Sequence, residues 1–388
     1  MDNWRLPDHV DDVLPAEAAR IEALRRGLLD LFRVHGYELV APPLIEYVES
    51  LLTGSGRDLD LMTFKLVDQL SGRLLGVRAD ITPQVARIDA HILNRSGVTR
   101  LCYAGSVLHA MPAGAARRRE LIQVGAEIYG HGGIDSDVEI QRLMLEALTC
   151  AGCRGLQLDL GHVAPFRALI AHGGIEPERE LVLSEALRSK DFPALREDVA
   201  LLPRPIGEAL LALGELYGGT QVLREARQRL PDLPEIRAAL DDLEQASRAI
   251  AELPVRCSFD LGELRGYHYH TGIVFAAYAE GYADAIGRGG RYDEIGHAFG
   301  RARPATGFSL DLRDIAATGT VAVPPRGIRA PCSDDPALRA TIADLRRAGE
   351  IVIVALPGQQ DPCGESLADR ELKQADGGWQ VVPLARQP

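Results

Sequence analysis

Leu101-Cys102-Tyr103-Ala104-Gly105 and Gln123-Val124-Gly125-Ala126-Glu127 are the two stretches on which the fold of this chain turns. The elements around them can be read outward. Just beyond, Ser136-Asp137-Val138-Glu139 has the spacing of a capping box and opens a helix with Ile140, Leu143, Met144, Ala147 and Leu148 on one face. Just before, a helix is expected over about residues 83–93, following the segment 74–80. Further out, Ile21, Leu24, Leu28, Leu31 and Phe32 fall at helical spacing, with Pro15 suited to the first turn and Gly36 to the end. Residues 37–40 read as a short strand stopped by Pro42-Pro43, because proline has no amide to give to a ladder. Residues 156–160 and 255–261 alternate with strand period, and 273–277 form a third apolar run.

Between residues 174 and 253 nearly everything has a helical pattern, punctuated by Pro177, Pro193, Pro203, Pro205, Gly218-Gly219, Pro231 and Pro234. Strands stop before this block and resume after it, which is the pattern of an inserted helical subdomain. Near residues 321–331, Val323-Pro324-Pro325-Arg326-Gly327 reads as a linker. Beyond it, residues 336–348 read as a helix and 351–355 as a buried strand. The expected organisation is a main domain over 1–320 carrying the helical insertion, then a linker and a small α/β domain over 321–388.

A length of 388 residues allows two or three domains, and 46% apolar with 25% charged residues is the balance of an ordinary globular protein. Asp and Glu outnumber Lys and Arg by 55 to 43, a net charge of −12, which argues against nucleic acid as a partner. No run of about 18 apolar residues is present to span a bilayer. Met1-Asp2-Asn3-Trp4-Arg5 has no charged region leading into an apolar stretch, so no secretory signal is expected. Six cysteines in so long a chain do not form a disulfide scaffold, and a reducing cytoplasm is the simplest home. Cys150-Ala151-Gly152-Cys153 lacks the second pair that a zinc site needs and reads as two partly buried thiols. There is no Walker loop. Gly287-Arg288-Gly289-Gly290 is a weak glycine motif by itself, and Arg117-Arg118-Arg119 is either an anion site or a solvated surface.

Taken in order, several segments resemble one family. Val40-Ala41-Pro42-Pro43-Leu44-Ile45-Glu46 looks like the first class II aminoacyl-tRNA synthetase motif, and Arg78-Ala79-Asp80-Ile81-Thr82 resembles the Arg-Pro-Glu-Gly-Thr segment of histidyl-tRNA synthetase. Residues 101–127 align without gaps on its second motif and following strand. Leu264-Arg265-Gly266-Tyr267-His268-Tyr269-His270 is similar to its histidine signature, and Gly289-Gly290-Arg291-Tyr292-Asp293 to its second one. Ala305-Thr306-Gly307-Phe308-Ser309-Leu310 enters the third motif. The resemblance spans roughly residues 1–318. It implies an α+β fold, a class II synthetase-like antiparallel sheet flanked by helices.

The departures bear on function. The register puts His109 where the second motif of the family carries its phosphate-clamping arginine, and Met111 where the neighbouring glutamate belongs. In the third motif Asp311-Leu312-Arg313-Asp314 stands for Gly-Leu-Glu-Arg, so Asp314 replaces an arginine with the opposite charge. Adenylate formation needs cations aimed at the phosphates, and one such donor is worth ~3–4 kcal/mol in the transition state. With both gone, no synthetase activity is expected.

The amino-acid side of the pocket is kept. By the resemblance, Asp80 and Thr82 stand where the family meets the substrate ammonium, Gln123 and Glu127 where it holds the amino acid, and Arg265 where an arginine meets the carboxylate. Tyr269 and Tyr292 match the tyrosines of the two signatures, while His268 and His270 replace an aspartate and a tyrosine. Each also has a plainer reading: Asp80 and Thr82 as helix caps, Gln123 and Glu127 as an exposed strand face, Arg265 as a surface partner of Glu263, and the tyrosines as packing.

A synthetase-like chain with an amino-acid pocket and no adenylation machinery resembles the regulatory subunits of ATP phosphoribosyltransferase. That resemblance implies a hetero-oligomer with the short-form catalytic subunit in the first step of histidine biosynthesis, a self-dimer, and L-histidine as the feedback effector. It implies no catalytic residue, cofactor, metal, tRNA or membrane partner. Two alternatives stay open at this point, a divergent adenylate-forming amino-acid ligase and a scaffold that does not sense histidine.

Overall fold

The computed structural model describes residues 4–53, 57–112, 118–318, 326–358, 367–375 and 377–384. The chain divides into two compact units, Met1–Val321 and Ala322–Pro388.

The first unit is built on a nine-stranded sheet and a three-stranded one. In chain order the strands are β1 (Glu38–Leu39), β2 (Ile45–Tyr47), β3 (Phe64–Val67), β4 (Leu74–Val77), β5 (Thr99–Leu108) and β6 (Glu120–Tyr129). They continue as β7 (Gln157–His162), β8 (Tyr217–Gly218), β9 (Arg256–Asp260), β10 (Ile273–Tyr278), β11 (Gly287–Arg291) and β12 (Ala305–Asp311). The large sheet runs β1-β5-β6-β12-β11-β10-β7-β9-β8, and β2-β4-β3 form the small one. Within the large sheet only β1–β5 and β7–β9 are parallel.

Strand alternation gives the large sheet two different faces. Val124, Ala126 and Ile128 of β6 and Phe308 and Leu310 of β12 point to one side. There they meet α1 (Pro15–Val34) and α5 (Ile134–Cys150), with Phe32 edge-on to Phe308 at 5.8 Å between ring centroids. The opposite face carries the alternate residues, and it is floored by glycine. Leu101, Glu127, Gly307, Gly290, Val274 and Gly161 lie in one register row, and Tyr103, Gly125, Ser309, Arg288 and Ala276 in the next.

After the short helices α2 (Val48–Leu51) and α3 (Arg57–Met62), the expected helix at 83–93 is α4 (Thr82–Arg87), which widens into a π-helical turn over Ile88–Leu93. Its buried Asp89 takes both oxygens to Arg303 Nη1, at 2.9 and 3.0 Å. The capping box at Ser136 is not used. The helix begins at Ile134, with Gly133 at the cap and no side-chain cap bond. Ser136 and Asp137 lie inside the first turn, where the buried Arg291 guanidinium claims them, Nη2 reaching Ser136 Oγ at 2.9 Å and Asp137 Oδ2 at 2.7 Å. Glu139, meant to close the box, pairs with Arg100 instead. Satisfying a buried cation outweighs a cap at an exposed helix end.

After α6 (Ala164–Gly173) the helical block runs through α7 (Pro177–Arg188), α8 (Phe192–Val199), α9 (Arg204–Glu215), α10 (Gln221–Arg229) and α11 (Pro234–Ile250). It is interrupted by β8, which pairs with β9. Leu183, Leu210, Leu213, Leu240 and Leu243 are fully buried and continuous with the core under the sheet. The unit closes with α12 (Leu312–Thr318).

The second unit has β13 (Gly327–Ala330), α13 (Pro336–Arg347), β14 (Val352–Val354), β15 (Ala368–Ala375) and β16 (Gly378–Pro383), in sheet order β14-β13-β15-β16. Val323, Pro324 and Pro325 of the expected linker lie outside the described residues. The rest of that stretch is no linker: Ile328 and Ala330 are completely buried against Leu338, Val352 and Leu372, so β13 is the middle of the small sheet. Two alternating apolar residues there were too short a signal beside so much proline and glycine.

Candidate functional site

The glycine-floored face carries a fully buried carboxyl group, that of Glu127, surrounded by hydroxyls. Glu127 Oε1 accepts from Tyr103 Oη at 3.0 Å and Thr82 Oγ1 at 3.2 Å, and Oε2 accepts from Tyr292 Oη. Burial nevertheless dominates and pushes the carboxyl up to about 8. The carboxylate lies across Gly307, where a Cβ would collide with it, and a Cβ at Gly125 would collide with the Tyr103 hydroxyl. Glycine on these strands is what leaves room for polar groups over the sheet.

Asp80 and Thr82 reach the same place from the start of α4. Asp80 Oδ1 accepts from the Thr82 amide at 3.0 Å and from Gln123 Nε2 at 2.8 Å, while Gln123 Oε1 accepts from the Ile81 amide at 2.9 Å. Gln123 thus clamps the Asp80–Thr82 turn against β6. Asp80 bonds the Thr82 amide two residues on but is not the cap, since Ile81 holds that position and the helix start has no side-chain cap bond. Gln123 and Glu127 are not an exposed strand face: Glu127 is 1% exposed.

Tyr269 and Tyr292 form the wall. Their rings stack at 4.9 Å between centroids with 28° between planes. The Tyr269 hydroxyl is buried and has no hydrogen-bond partner among the described residues. Leaving such a group unpaired costs about 1–3 kcal/mol, so it marks a place where a polar ligand fits. His270 is half-buried, its imidazole driven down to about 4 by desolvation and hence neutral. His268 is exposed.

Arg265 is the sequence-named residue that the structure does not join to this cluster. It is exposed, with Nε 3.6 Å from Glu263 Oε2, as the plainer reading expects.

The nucleotide end differs in kind. His109 Nε2 lies 3.0 Å from the Ala79 carbonyl oxygen and donates to it, and burial holds the ring below its usual range. Met111 is 64% exposed. Asp314 lies 4.0 Å from Arg118 Nη1, and Arg118 also approaches Asp11 and Glu17 at 3.8 and 3.9 Å. The neighbouring Arg313 is buried, its Nη2 donating to the Asp11 carbonyl at 3.3 Å and Nη1 to that of Glu120 at 3.4 Å. The Arg119 amide donates to the His9 carbonyl at 2.9 Å. The N-terminal segment thus meets Arg118 and Arg313, while the Arg119 guanidinium donates to the His109 carbonyl at 3.1 Å and lies over the Phe64 ring. Of the arginine triplet, Arg117 lies outside the described residues. Among those described, no three His, Cys, Asp or Glu side chains converge on a possible metal position, Cys150 and Cys153 are free thiols, and no helix is long and apolar enough to cross a membrane.

Comparison with known proteins fits this picture. Over 383 residues the chain is 58% identical to the ATP phosphoribosyltransferase regulatory subunit of Cupriavidus taiwanensis, covering 98% of this chain and 99% of that one. The chain belongs to the ATP phosphoribosyltransferase regulatory subunit family. The family member of Nitrosospira multiformis is 55% identical over 387 residues, covering 98% of each chain. Residues 9–315 match the histidyl-tRNA synthetase family model, and residues 325–382 match the ATP phosphoribosyltransferase subunit HisZ C-terminal domain. A solved Bacillus halodurans structure, described as an ATP phosphoribosyltransferase regulatory subunit/histidyl-tRNA synthetase, superposes with a TM-score of 0.81 at 28% identity, covering 92% of this chain and 94% of that one. The Nostoc histidyl-tRNA synthetase shares the fold, with a TM-score of 0.77 at 17% identity, covering 99% of this chain and 97% of that one.

Two residues of this buried cluster escape sequence reading, Tyr103 and Tyr129. Tyr103 stands directly opposite Gly125 in the β5–β6 register, and Tyr129 Oη lies 3.3 Å from Tyr292 Oη. Two-residue spacing from Glu127 along β6 places Gly125 and Tyr129 on its face, the one signal that was available.

Proposed function

We propose that this chain acts as the regulatory subunit of ATP phosphoribosyltransferase, with no catalysis of its own, and that L-histidine binds on the glycine-floored face. In this reading the ligand ammonium meets Asp80 and Thr82, and the ring enters the space bounded by Glu127, Tyr269 and Tyr292. The carboxylate draws the Arg265 guanidinium away from Glu263. Partner and effector belong to the same proposal: a short-form catalytic subunit, a self-dimer, free histidine, no tRNA, and a cytoplasmic location.

The observation that carries the reading is the buried Tyr269 hydroxyl, unpartnered among the described residues beside the caged Glu127 carboxyl, in a chain whose Arg118 and Arg313 turn to its own N-terminal segment. A ligand can act at a distance here because the binding groups come from the start of α4, from β6 and from the turn before β10. Favouring one arrangement of these by ~1–3 kcal/mol changes the activity of a bound partner about 5–150-fold, and the partner changes histidine affinity by the same factor.

Reconstitution with a short-form catalytic subunit, assayed with and without histidine, tests this directly. Activation that histidine reverses is expected. Activation indifferent to histidine would leave a scaffold, a reading kept open by His268 and His270 and favoured by the outward position of Arg265. ATP–pyrophosphate exchange by the chain alone would restore the ligase reading.

A further inference from the structure

The turn that presents Tyr269 is tied down from outside the pocket. The amides of Tyr269 and His270 both donate to the Gly266 carbonyl at 2.8 Å, and Gly266 sits at φ 67°, a conformation that suits glycine. The Tyr267 and His270 carbonyls are both taken by one side chain. Arg167 Nη2 donates to Tyr267 O at 3.0 Å and to His270 O at 2.7 Å. The same guanidinium lies over the Tyr267 ring, 5.1 Å from its centroid, and Phe166 meets that ring edge-on at 5.1 Å. On the far side the Tyr267 hydroxyl donates to Glu180 Oε1 at 2.7 Å.

Phe166 and Arg167 belong to α6, and Glu180 to α7. Helix α6, with Glu180 of α7 on the far side, therefore holds the carbonyls on either side of Tyr269, whose buried hydroxyl has no partner among the described residues. A planar guanidinium can bond two carbonyls while stacking on a ring; an ammonium on a flexible stem does this poorly.

We infer that Arg167 is a positioning residue for the amino-acid pocket, fixing the Tyr269 turn, and that α6 and α7 respond through it to the filling of that pocket. The inference rests on the histidine reading above. A ligand engaging Tyr269 pulls on a turn whose outer attachments are Arg167 and Glu180, so its displacement passes to their helices.

Calorimetric titration of the full chain with L-histidine tests this. Arg167→Lys keeps the cation and loses the fork, and about tenfold weaker binding is expected. In a Tyr269→Phe background the same change is expected to matter by less than about twofold, because a residue acting through Tyr269 has nothing left to position. A merely structural lesion would add its full effect there, and would overturn the inference. So would wild-type affinity in Arg167→Lys. Tyr267→Phe, which keeps the ring and drops the Glu180 bond, is expected to weaken binding about threefold. It carries the test if Arg167→Lys does not fold, with unchanged affinity as the contrary result. Amide exchange over residues 164–188 is expected to slow with saturating histidine in the wild type and not in Arg167→Lys; exchange unaltered in the wild type would refute the response of α6 and α7. Failure of the wild-type chain to bind histidine at all would refute the site itself, a result distinct from wild-type binding that survives Arg167→Lys.

Discussion

Gly307→Ala adds a methyl group for which the pocket has no room. A Cβ on Gly307 would coincide with the Glu127 carboxylate and come 2.8 Å from the Ala126 carbonyl oxygen. The strand cannot give way, since β12 is bonded on both flanks, with Gly307 opposite Glu127 on one side and Gly290 on the other. The carboxylate must move, and the bonds from Thr82, Tyr103 and Tyr292 go with it. Three hydrogen bonds at a net of about 0.5–1.5 kcal/mol each give a stability loss of about 2–4 kcal/mol. That lowers the unfolding midpoint by on the order of 10 °C. Histidine affinity is expected to fall by about 100-fold or more, equivalent to about 2.7 kcal/mol. Calorimetric titration and thermal unfolding read the two effects, and Gly27→Ala, where the added Cβ meets nothing within 4 Å, serves as the control. A Gly307→Ala chain that binds histidine with wild-type affinity would refute the placement of Glu127 in the site.

Because burial lifts Glu127 from 4.5 to about 8, the folded chain keeps a proton in that window which the unfolded chain has lost. Its contribution to stability therefore declines as pH rises from about 4.5 to 8. Glu127→Gln is expected to flatten that part of the profile in urea unfolding, and an unchanged slope would contradict it. Asp89→Ala strands the buried Arg303 guanidinium and should cost about 3–5 kcal/mol, visible as a lowered denaturant midpoint; a shift worth under about 1 kcal/mol would be inconsistent with the pair. Arg265→Ala is expected to weaken inhibition of the reconstituted assembly by histidine, and unchanged sensitivity would remove Arg265 from the proposed site.

Sequence patterning reached the fold because the strongest signals were long: an amphipathic α1, a strand-like β10 and ordered motifs from residue 40 to 310. It failed where tertiary demands overrode local chemistry. Ser136 looks like a cap until Arg291, far away in sequence, claims it. The strand Gly327–Ala330 hides in a stretch rich in proline and glycine because only two of its residues carry the core. In the site, Asp80, Thr82, Gln123, Glu127, Tyr269 and Tyr292 converge, and motif matching alone named them. Tyr103 and Tyr129 stayed hidden because their role depends on which strand lies beside which, and Arg167 because it works on carbonyls, which no side-chain pattern reveals.

The glycine rows across β6, β12 and β11 have a practical consequence for anyone wishing to retune the effector. Over this patch the sheet presents main chain at Gly125, Gly307 and Gly290, and its surface follows from the spacing between strands, which point substitutions do not alter. Enlarging a residue there displaces the side chain lying over it, Glu127 at Gly307 and Tyr103 at Gly125, and so disrupts the cluster rather than reshaping it. Redesign of the proposed site thus starts from the turn at residues 264–270, which brings Tyr269 against Tyr292, with the sheet left untouched as a fixed template.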